Sequence, residues 1–182
     1  MQIKQFAQMG GIRKCLAVLQ FLMPIVVYAE GDTDCPRAEA RGANGSYIVF
    51  QQHRFADGSS DLVLIPQNGS DMEVKRVTFG GGKTEGCLHR SVAIAPGGGD
   101  EQWGWHLAWA GEEGARYARM DGQAWVSSPP KRLSKAGASD ISFQANGSEL
   151  VLHWHDQHGA HQVVSHDDGR TWEQPQQGPP GN

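Results

Sequence analysis

The sequence predicts an all-β protein built from three repeated units of four strands. Glycine accounts for 24 of the 182 residues and apolar runs are short, which is typical of strands joined by many turns. A tight turn followed by an apolar strand recurs with a period of about 50 residues, which is the signature of a repeat architecture. Gly69, Gly122 and Gly169 occupy equivalent corners of the three repeats.

Turn signals place the strands within each repeat. Asn-Gly pairs at 44–45 and 146–147 precede apolar strand segments, and the glycines at 97–99 lead into a tryptophan-rich segment at 103–109. These signals predict four strands in each repeat. The first strand is short, the second has apolar alternation, and the third and fourth lie on either side of a corner. Such a unit is the blade of a β-propeller. The predicted blades span residues 36–79, 88–133 and 139–175.

Three blades leave the ring incomplete, because propellers typically contain at least about four. Three explanations are open. Two chains would form a six-bladed homodimer around a shared axis, the chain would be a truncated relic of a longer propeller, or the three sheets would form an open array. Unpaired strand edges promote aggregation. We therefore favour pairing or a relic over an open monomer.

The most specific motif lies at residues 165–172, where the sequence is Ser-His-Asp-Asp-Gly-Arg-Thr-Trp. Ser165 and Asp167 carry short side chains that hydrogen-bond to nearby backbone N–H groups, and Gly169 adopts positive φ without steric cost. Trp172 offers apolar surface to bury behind the corner. A more eroded copy lies at 64–72. A degenerate copy at 117–125 keeps Asp121, Gly122 and Trp125.

The pattern Ser-x-Asp-x-Gly-x-Thr-Trp, which here ends with Thr171 and Trp172, resembles the Asp-box of the sialidase-like (BNR-repeat) β-propeller superfamily. The resemblance covers nearly all of the chain after residue 29. It implies a propeller fold in which the box is a structural corner away from the active site. In enzymes of that family, an arginine triad binds the substrate carboxylate, a tyrosine with a glutamate partner is the nucleophile, and an aspartate is the acid/base.

The family's catalytic set does not transfer to this chain. Its Arg-Ile-Pro motif is absent from the sequence. Tyr47 and Tyr117 are the tyrosines that follow the N-terminal segment. Both lie in predicted strands, where we expect an aromatic ring to pack in the core.

Residues 1–29 predict a cleavable signal peptide. Basic residues precede an apolar run at 15–27, and Ala29 ends a small-residue cleavage pattern. The apolar run is too short for a comfortable membrane span, and an uncleaved anchor is the alternative. We therefore expect a secreted or periplasmic domain of residues 30–182 without a stable membrane span.

The charge of the chain excludes some partners. The whole chain has a formal charge of −4, and every charge in the predicted signal peptide is basic. The mature chain would therefore carry about −7. This acidity argues against nucleic acid or an anionic membrane as a partner.

Cys35 and Cys87 are the cysteines that remain after cleavage, and an even pair in an exported chain predicts one disulfide. The bond would close a loop of about 50 residues and contribute about 3–4 kcal/mol in the chain-entropy model. Two cysteines alone do not provide the four ligands of a structural zinc site.

Charged side chains begin each predicted inner strand, where a propeller opens its central channel. Alternating residues of the first strand share one face, and arginine matches a carboxylate with two hydrogen bonds. We therefore predict a site for an anionic sugar or a peptide carboxylate. The alternative is a solvated N-terminal arm whose charges face water. The candidate residues are Arg37, Glu39, Arg41, His89, Arg90 and Asp140.

A cluster of histidines at 153–166 is a second candidate site. His153 and His155 are two residues apart on a predicted strand and share a face, and we expect a hairpin to bring His161 across from His155. Together with His158, these side chains would bind Zn²⁺ or Cu²⁺. The alternative is a polar hairpin in which histidine has no special role. No other cofactor is expected.

The sequence contains no phosphate-binding loop, dinucleotide fingerprint, nucleophile elbow or zinc-protease motif, which leaves NTPases, dehydrogenases, esterases and zincins without support. We predict an exported, non-catalytic module that binds a carbohydrate or a protein. One alternative is a sialidase-like glycoside hydrolase completed by oligomerisation. The other is a periplasmic metal-binding protein that uses the histidine-rich hairpin.

Overall fold

The computed structural model is all-β in the part of the chain that it describes, with twelve strands and no helix. No helix in this part is therefore long and apolar enough to cross a membrane. The predicted signal peptide and Gly69 of the eroded corner lie outside the described residues. The described ranges are 35–68, 73–83, 85–98, 104–122 and 125–178.

The strands form three antiparallel four-stranded sheets, in which neighbours in sequence are neighbours in space. The predicted all-β class with four strands per unit is confirmed, and none of the three sheets closes on itself. Sheet I contains β1 (Arg37–Arg41), β2 (Tyr47–Arg54), β3 (Ser60–Pro66) and β4 (Lys75–Arg76). Sheet II contains β5 (Ser91–Pro96), β6 (Trp105–Gly111), β7 (Gly114–Met120) and β8 (Lys131–Arg132). Sheet III contains β9 (Ala138–Asn146), β10 (Glu149–Asp156), β11 (Gly159–Ser165) and β12 (Gln176–Gln177).

The predicted Asn-Gly turn after β1 sets the register of sheet I. Gly45 has a φ of 81°, a region that glycine occupies at no steric cost. The Asn44 side chain accepts a hydrogen bond from the Ser46 backbone N–H at 2.9 Å. The turn pairs Arg41 with Tyr47, and this register sends alternate side chains to opposite faces of the sheet.

The first core lies between sheets I and II. Ile48 and Phe50 project from β2 toward sheet II, where the edge of the Phe50 ring meets Trp109 at a centroid distance of 6.5 Å. Burying side chains of this size contributes about 1.5–3 kcal/mol each. The other buried members are Leu62, Leu64, Val77, Trp105, Leu107, Ala118 and Met120.

Sheet II is the middle layer, because a second core fills the space between it and sheet III. Every residue of β6 is buried. The small side chains of Ala108 and Ala110 face sheet III and leave room for the larger Leu152 and Trp154. Among the described strands, no other sheet covers the second face of sheet I or of sheet III, and we call these the free faces.

The first strands of the three sheets lie side by side, since β1 runs beside β5 and β5 runs beside β9. The sheets therefore share a common inner side. The outer strands β4, β8 and β12 contain two residues each. Edge strands this short limit edge-to-edge pairing with other chains.

The segment that connects sheets I and II is held at two points. Cys35 and Cys87 form a disulfide with a Cα–Cα distance of 5.3 Å, as predicted. The buried side chain of Gln52 donates to the Gly86 carbonyl at 3.1 Å and accepts from the Leu88 N–H at 2.7 Å. The connection is thereby anchored to β2 through Gln52 and to Cys35, which precedes β1.

Candidate functional site

A cleft of about 830 Å³ lies between sheets I and II, next to the beginning of β5. Its walls come from the segment after β4, the segment before β5, the turn between β6 and β7, and the segment before β8. These elements contribute Phe79, His89, Trp109, Arg116 and Pro129 among other residues.

Phe79 stands at the edge of the cleft with 73% of its surface exposed. The backbone around it is fixed, because the buried Asp61 carboxylate accepts hydrogen bonds from the Gly81 N–H at 2.9 Å and the Thr78 hydroxyl at 3.3 Å. A Cβ on Gly81 would lie 1.5 Å from the Ser60 carbonyl oxygen, so only glycine fits this approach. The exposed ring is therefore presented by a well-anchored segment.

His89 provides a neutral polar group within the cleft. Its ring centroid lies 6.3 Å from that of Trp109. Burial, assisted by the positive charge of Arg116, lowers the pKa of His89 to about 4. The imidazole is therefore uncharged at pH 7 and offers one donor and one acceptor. None of the described side chains or backbone groups hydrogen-bonds to it, so its donor and its acceptor have no partner among the described residues.

Two ion pairs complete the polar part of the cleft. Arg116 donates a hydrogen bond to the Glu113 carboxylate at 2.6 Å. The Arg90 guanidinium lies 3.9 Å from the Glu112 carboxylate. Both glutamates occupy the turn between β6 and β7, so each positive charge in the cleft has a negative neighbour.

The predicted ligand-binding residues are divided among three places. His89 and Arg90 line the cleft. The β1 residues share one face, as predicted, but it is the free face of sheet I, turned away from the cleft. Asp140 lies on sheet III with a φ of 52°, and its carboxylate is 4.0 Å from His155. The three β1 residues on the free face are Arg37, Glu39 and Arg41.

Tyr47 belongs to this free face, and its predicted core position is wrong. Its hydroxyl donates a hydrogen bond to Glu39, and the Arg41 guanidinium lies 4.6 Å above its ring. The contact raises the pKa of Tyr47 and lowers the pKa of Glu39. Neighbouring charged side chains, and not the core, thus hold this ring. Tyr117 is buried, as predicted.

The corner at 165–172 is held by its own side chains. The Ser165 hydroxyl accepts from the Gly169 N–H at 2.9 Å and donates to Asp167 at 2.9 Å. Asp167 accepts from the Thr171 N–H at 2.7 Å and from the Thr171 hydroxyl at 2.6 Å. These bonds from Thr171 lower the pKa of Asp167 to about 2. Trp172 packs against the second core behind the corner.

The degenerate corner in sheet II includes a backbone hydrogen bond among its described residues. The Asp121 N–H donates to the Val126 carbonyl at 3.0 Å, and Gly122 follows within the same corner. Trp125 has a φ of 53° and packs against the first core. The Lys75 ammonium lies 5.7 Å from the centre of its ring.

A buried polar network, which the sequence analysis missed, joins sheets II and III. His106 on β6 contacts the Tyr117 hydroxyl at 2.8 Å through Nδ1 and the Asp168 carboxylate at 3.0 Å through Nε2. Arg119 donates to the other oxygen of Asp168. The Gly98 N–H also donates to this carboxylate, at 3.1 Å. We call His106, Tyr117, Arg119 and Asp168 the inter-sheet network.

Burial and the hydrogen-bonding capacity of each group determine which atoms of the inter-sheet network carry protons. Burial raises the pKa of Tyr117 and lowers the pKa of His106, so the phenol keeps its proton and the imidazole is neutral. A carboxylate only accepts hydrogen bonds, so Nε2 of His106 carries the proton and Nδ1 accepts from Tyr117. Asp168 lies in the corner at 165–172 with a φ of 57°. His106, Tyr117 and Asp168 are buried and the Arg119 side chain is 21% exposed, so the network stabilises the fold from within the packed sheets.

The histidine-rich hairpin does not converge on one point. His161 pairs with Trp154, one residue away from the predicted pairing with His155, which is wrong. This register places His161 on the face opposite His153 and His155, where it stacks on Trp154 and bonds to Asp156 at 2.9 Å. The ring of His158 contacts its neighbour Gln157. Across all described residues, no group of three or more His, Cys, Asp or Glu is placed to hold a metal ion.

Acid should destabilise this protein, with His89 alone removing about 3 kcal/mol by pH 4. An unfolded histidine has a pKa near 6.5, whereas folding lowers the pKa of His89 to about 4. The unfolded state therefore binds the proton first, and stability present above pH 6.5 is lost as the pH falls. Burial of His106 acts in the same direction. Urea unfolding at pH 7 and at pH 4.5 measures the effect.

The matched variant for this titration is His89→Gln, which cannot bind the proton. Its free energy of unfolding should fall less steeply between pH 7 and pH 4.5 than that of the wild type. Equal slopes for the two proteins would show that the folded and unfolded states bind a proton at His89 equally well.

Comparisons with known proteins add no family assignment. No protein-family model matches the chain, and no curated protein matches it. The resemblance to Asp-box repeats therefore rests on the sequence itself, at 165–172, 117–125 and the eroded copy at 64–72.

Proposed function

We propose that this chain is an exported Asp-box repeat protein that binds a carbohydrate or protein ligand without catalysis, in the cleft between sheets I and II. The observation that carries the proposal is the composition of that cleft. It combines an exposed aromatic ring, Phe79, with the imidazole of His89, to which no described group hydrogen-bonds. Its volume of about 830 Å³ falls within the range of roughly 300–1,000 Å³ that is typical of ligand sites.

The local geometry of the corner at 165–172 supports the Asp-box part of the proposal. Its side chains bond to the corner's own backbone, as expected of a structural motif, and the side-by-side first strands of the three sheets suit propeller blades. The sheets would then be three blades of an incomplete propeller. A ligand cleft between two neighbouring blades needs no closed ring.

The exposure of the acidic residues favours binding over catalysis in this cleft. Glu112 and Glu113 have side chains that are 89% and 79% exposed. A carboxylic acid that protonates a sugar leaving group is normally held in apolar surroundings. Neither glutamate has such surroundings, whereas both can accept hydrogen bonds from a bound ligand.

The proposal does not require a second copy of the chain, because all cleft residues belong to one chain. The free face of sheet III carries exposed polar side chains such as Gln144 and His155. The faces buried between the sheets carry large apolar residues such as Phe50 and Leu62. The homodimer therefore stays a prediction, which the molecular mass of the folded protein tests.

Replacing Phe79 with alanine should weaken ligand binding by about tenfold, because an aromatic ring supplies much of the apolar contact at such a site. The measurement is binding of the purified protein to an array of oligosaccharides and to a displayed peptide library. Val126→Ala is the matched control, since Val126 is also a large exposed apolar residue but does not line the cleft. Equal binding by the two variants would refute the cleft as the ligand site.

A second candidate function is sialidase-like hydrolysis, and one observation favours it. Tyr47 donates a hydrogen bond to Glu39 on the free face of sheet I, beside Arg37 and Arg41. This pairing matches the tyrosine and glutamate that the family resemblance implies. Turnover of a fluorogenic sialoside that Tyr47→Phe abolishes would replace the binding proposal with this one.

A further inference from the structure

The charges that line the cleft are balanced. Arg90 and Arg116 are matched by Glu112 and Glu113, and no other charged residue is among the described residues of the lining. The imidazole of His89 is neutral at pH 7. A carboxylate that approached either guanidinium would meet the neighbouring glutamate, 2.6 Å or 3.9 Å from the arginine nitrogen. Like-charge repulsion therefore disfavours an anionic ligand here.

We infer that the cleft binds a neutral, hydroxyl-rich oligosaccharide, an inference that rests on the proposed function. This ligand differs from the anionic sugar or peptide carboxylate that the sequence predicts. That prediction came from a lining of both basic and acidic residues in which arginine would match a carboxylate, whereas the structure places a glutamate beside each arginine of the cleft.

The polar groups of the cleft suit hydroxyls. A guanidinium only donates hydrogen bonds and a carboxylate only accepts them, whereas a sugar hydroxyl does both. Each pair of Arg90 with Glu112 and Arg116 with Glu113 thus offers a donor next to an acceptor. The nitrogens of His89, to which no described group hydrogen-bonds, add one more of each.

The apolar part of the cleft suits the C–H face of a sugar ring. Phe79 is exposed and lies on an anchored segment, so its ring is available for stacking without a large loss of conformational entropy. Pro129 and Pro130 add apolar surface to the lining. An aromatic face next to alternating donors and acceptors fits a neutral sugar better than it fits a charged one.

The test measures binding to four probes by isothermal titration calorimetry. Two probes are neutral, the hexasaccharides of glucose and of N-acetylglucosamine, and two are acidic, oligogalacturonate and sialyllactose. We expect binding of a neutral probe that changes little with salt, because no net charge is involved. Phe79→Ala should weaken it about tenfold. Val126→Ala should leave it unchanged, because Val126 is exposed but does not line the cleft.

The outcomes separate this inference from the proposed function. Binding of an acidic probe that is lost in both Phe79→Ala and Arg90→Ala would overturn the neutral ligand while leaving the cleft as the binding site. Failure of all four probes would also overturn the neutral ligand. The proposed function would then stand if a peptide bound to the wild type and not to Phe79→Ala. Binding that Phe79→Ala does not change would overturn both.

Discussion

Replacing Asp168 with alanine should lower the free energy of unfolding by about 3–5 kcal/mol, the usual cost of removing one partner from a buried charged network. The change leaves the Arg119 guanidinium without its carboxylate and leaves Nε2 of His106 and the Gly98 N–H without an acceptor. Alanine also tolerates the φ of 57° less well than aspartate does. Urea unfolding at pH 7 measures the difference.

Asp140→Ala is the matched control for this experiment. Asp140 has a similar φ of 52°, but its side chain is 75% exposed and its carboxylate lies 4.0 Å from His155. Its replacement should cost no more than about 1–2 kcal/mol of backbone strain. A loss at Asp168 that is no larger than the loss at Asp140 would show that the inter-sheet network contributes nothing beyond the backbone.

Replacing Cys35 and Cys87 together with serine should lower the free energy of unfolding by about 3–4 kcal/mol. The disulfide joins residues 52 apart in sequence, so its loss frees a long loop in the unfolded chain. This is a large part of the roughly 5–15 kcal/mol that stabilises a typical domain.

Oxidised wild type, reduced wild type and the double serine variant are compared by urea unfolding. The reduced wild type and the variant should agree with each other and differ from the oxidised protein. The Gln52 bonds to Gly86 and Leu88 should keep the connection in place in the folded state at 25 °C. A variant as stable as the oxidised wild type would contradict the account of how this segment is anchored.

The strands could be predicted because their signals are local. Asn-Gly turns, apolar alternation and the corner at 165–172 each depend on residues that are near one another in sequence. The disulfide could be predicted because two cysteines follow the predicted cleavage site. The same local signals placed Arg37, Glu39 and Arg41 on one face of β1, as the register confirms.

Features that depend on how sheets pack could not be predicted in this way. His106 and Asp168 are 62 residues apart and meet because sheet III docks on sheet II. The one signal in the sequence was a histidine within the apolar segment 105–110, which had no visible partner. The cleft depends likewise on the gap between sheets I and II, and on the anchoring of Phe79 by Asp61.

Two errors show how small offsets change a site. A shift of one residue in the β10–β11 register moves His161 to the opposite face from His155 and separates the predicted metal ligands. Tyr47 lies at the beginning of β2 on a face that no other sheet covers, so its ring packs under Arg41 and not in the core. Strand propensity alone does not tell which face of a sheet is covered.

The most direct test of the cleft as the ligand site is an NMR titration of the ¹⁵N-labelled protein with the neutral hexasaccharides. We expect the largest amide shifts at Phe79, Gly81, Arg90 and the turn at 111–114. These residues surround the cleft. Shifts confined to the free face of sheet I, around Arg37, Arg41 and Tyr47, would contradict the proposal and place the ligand at the tyrosine–glutamate pair.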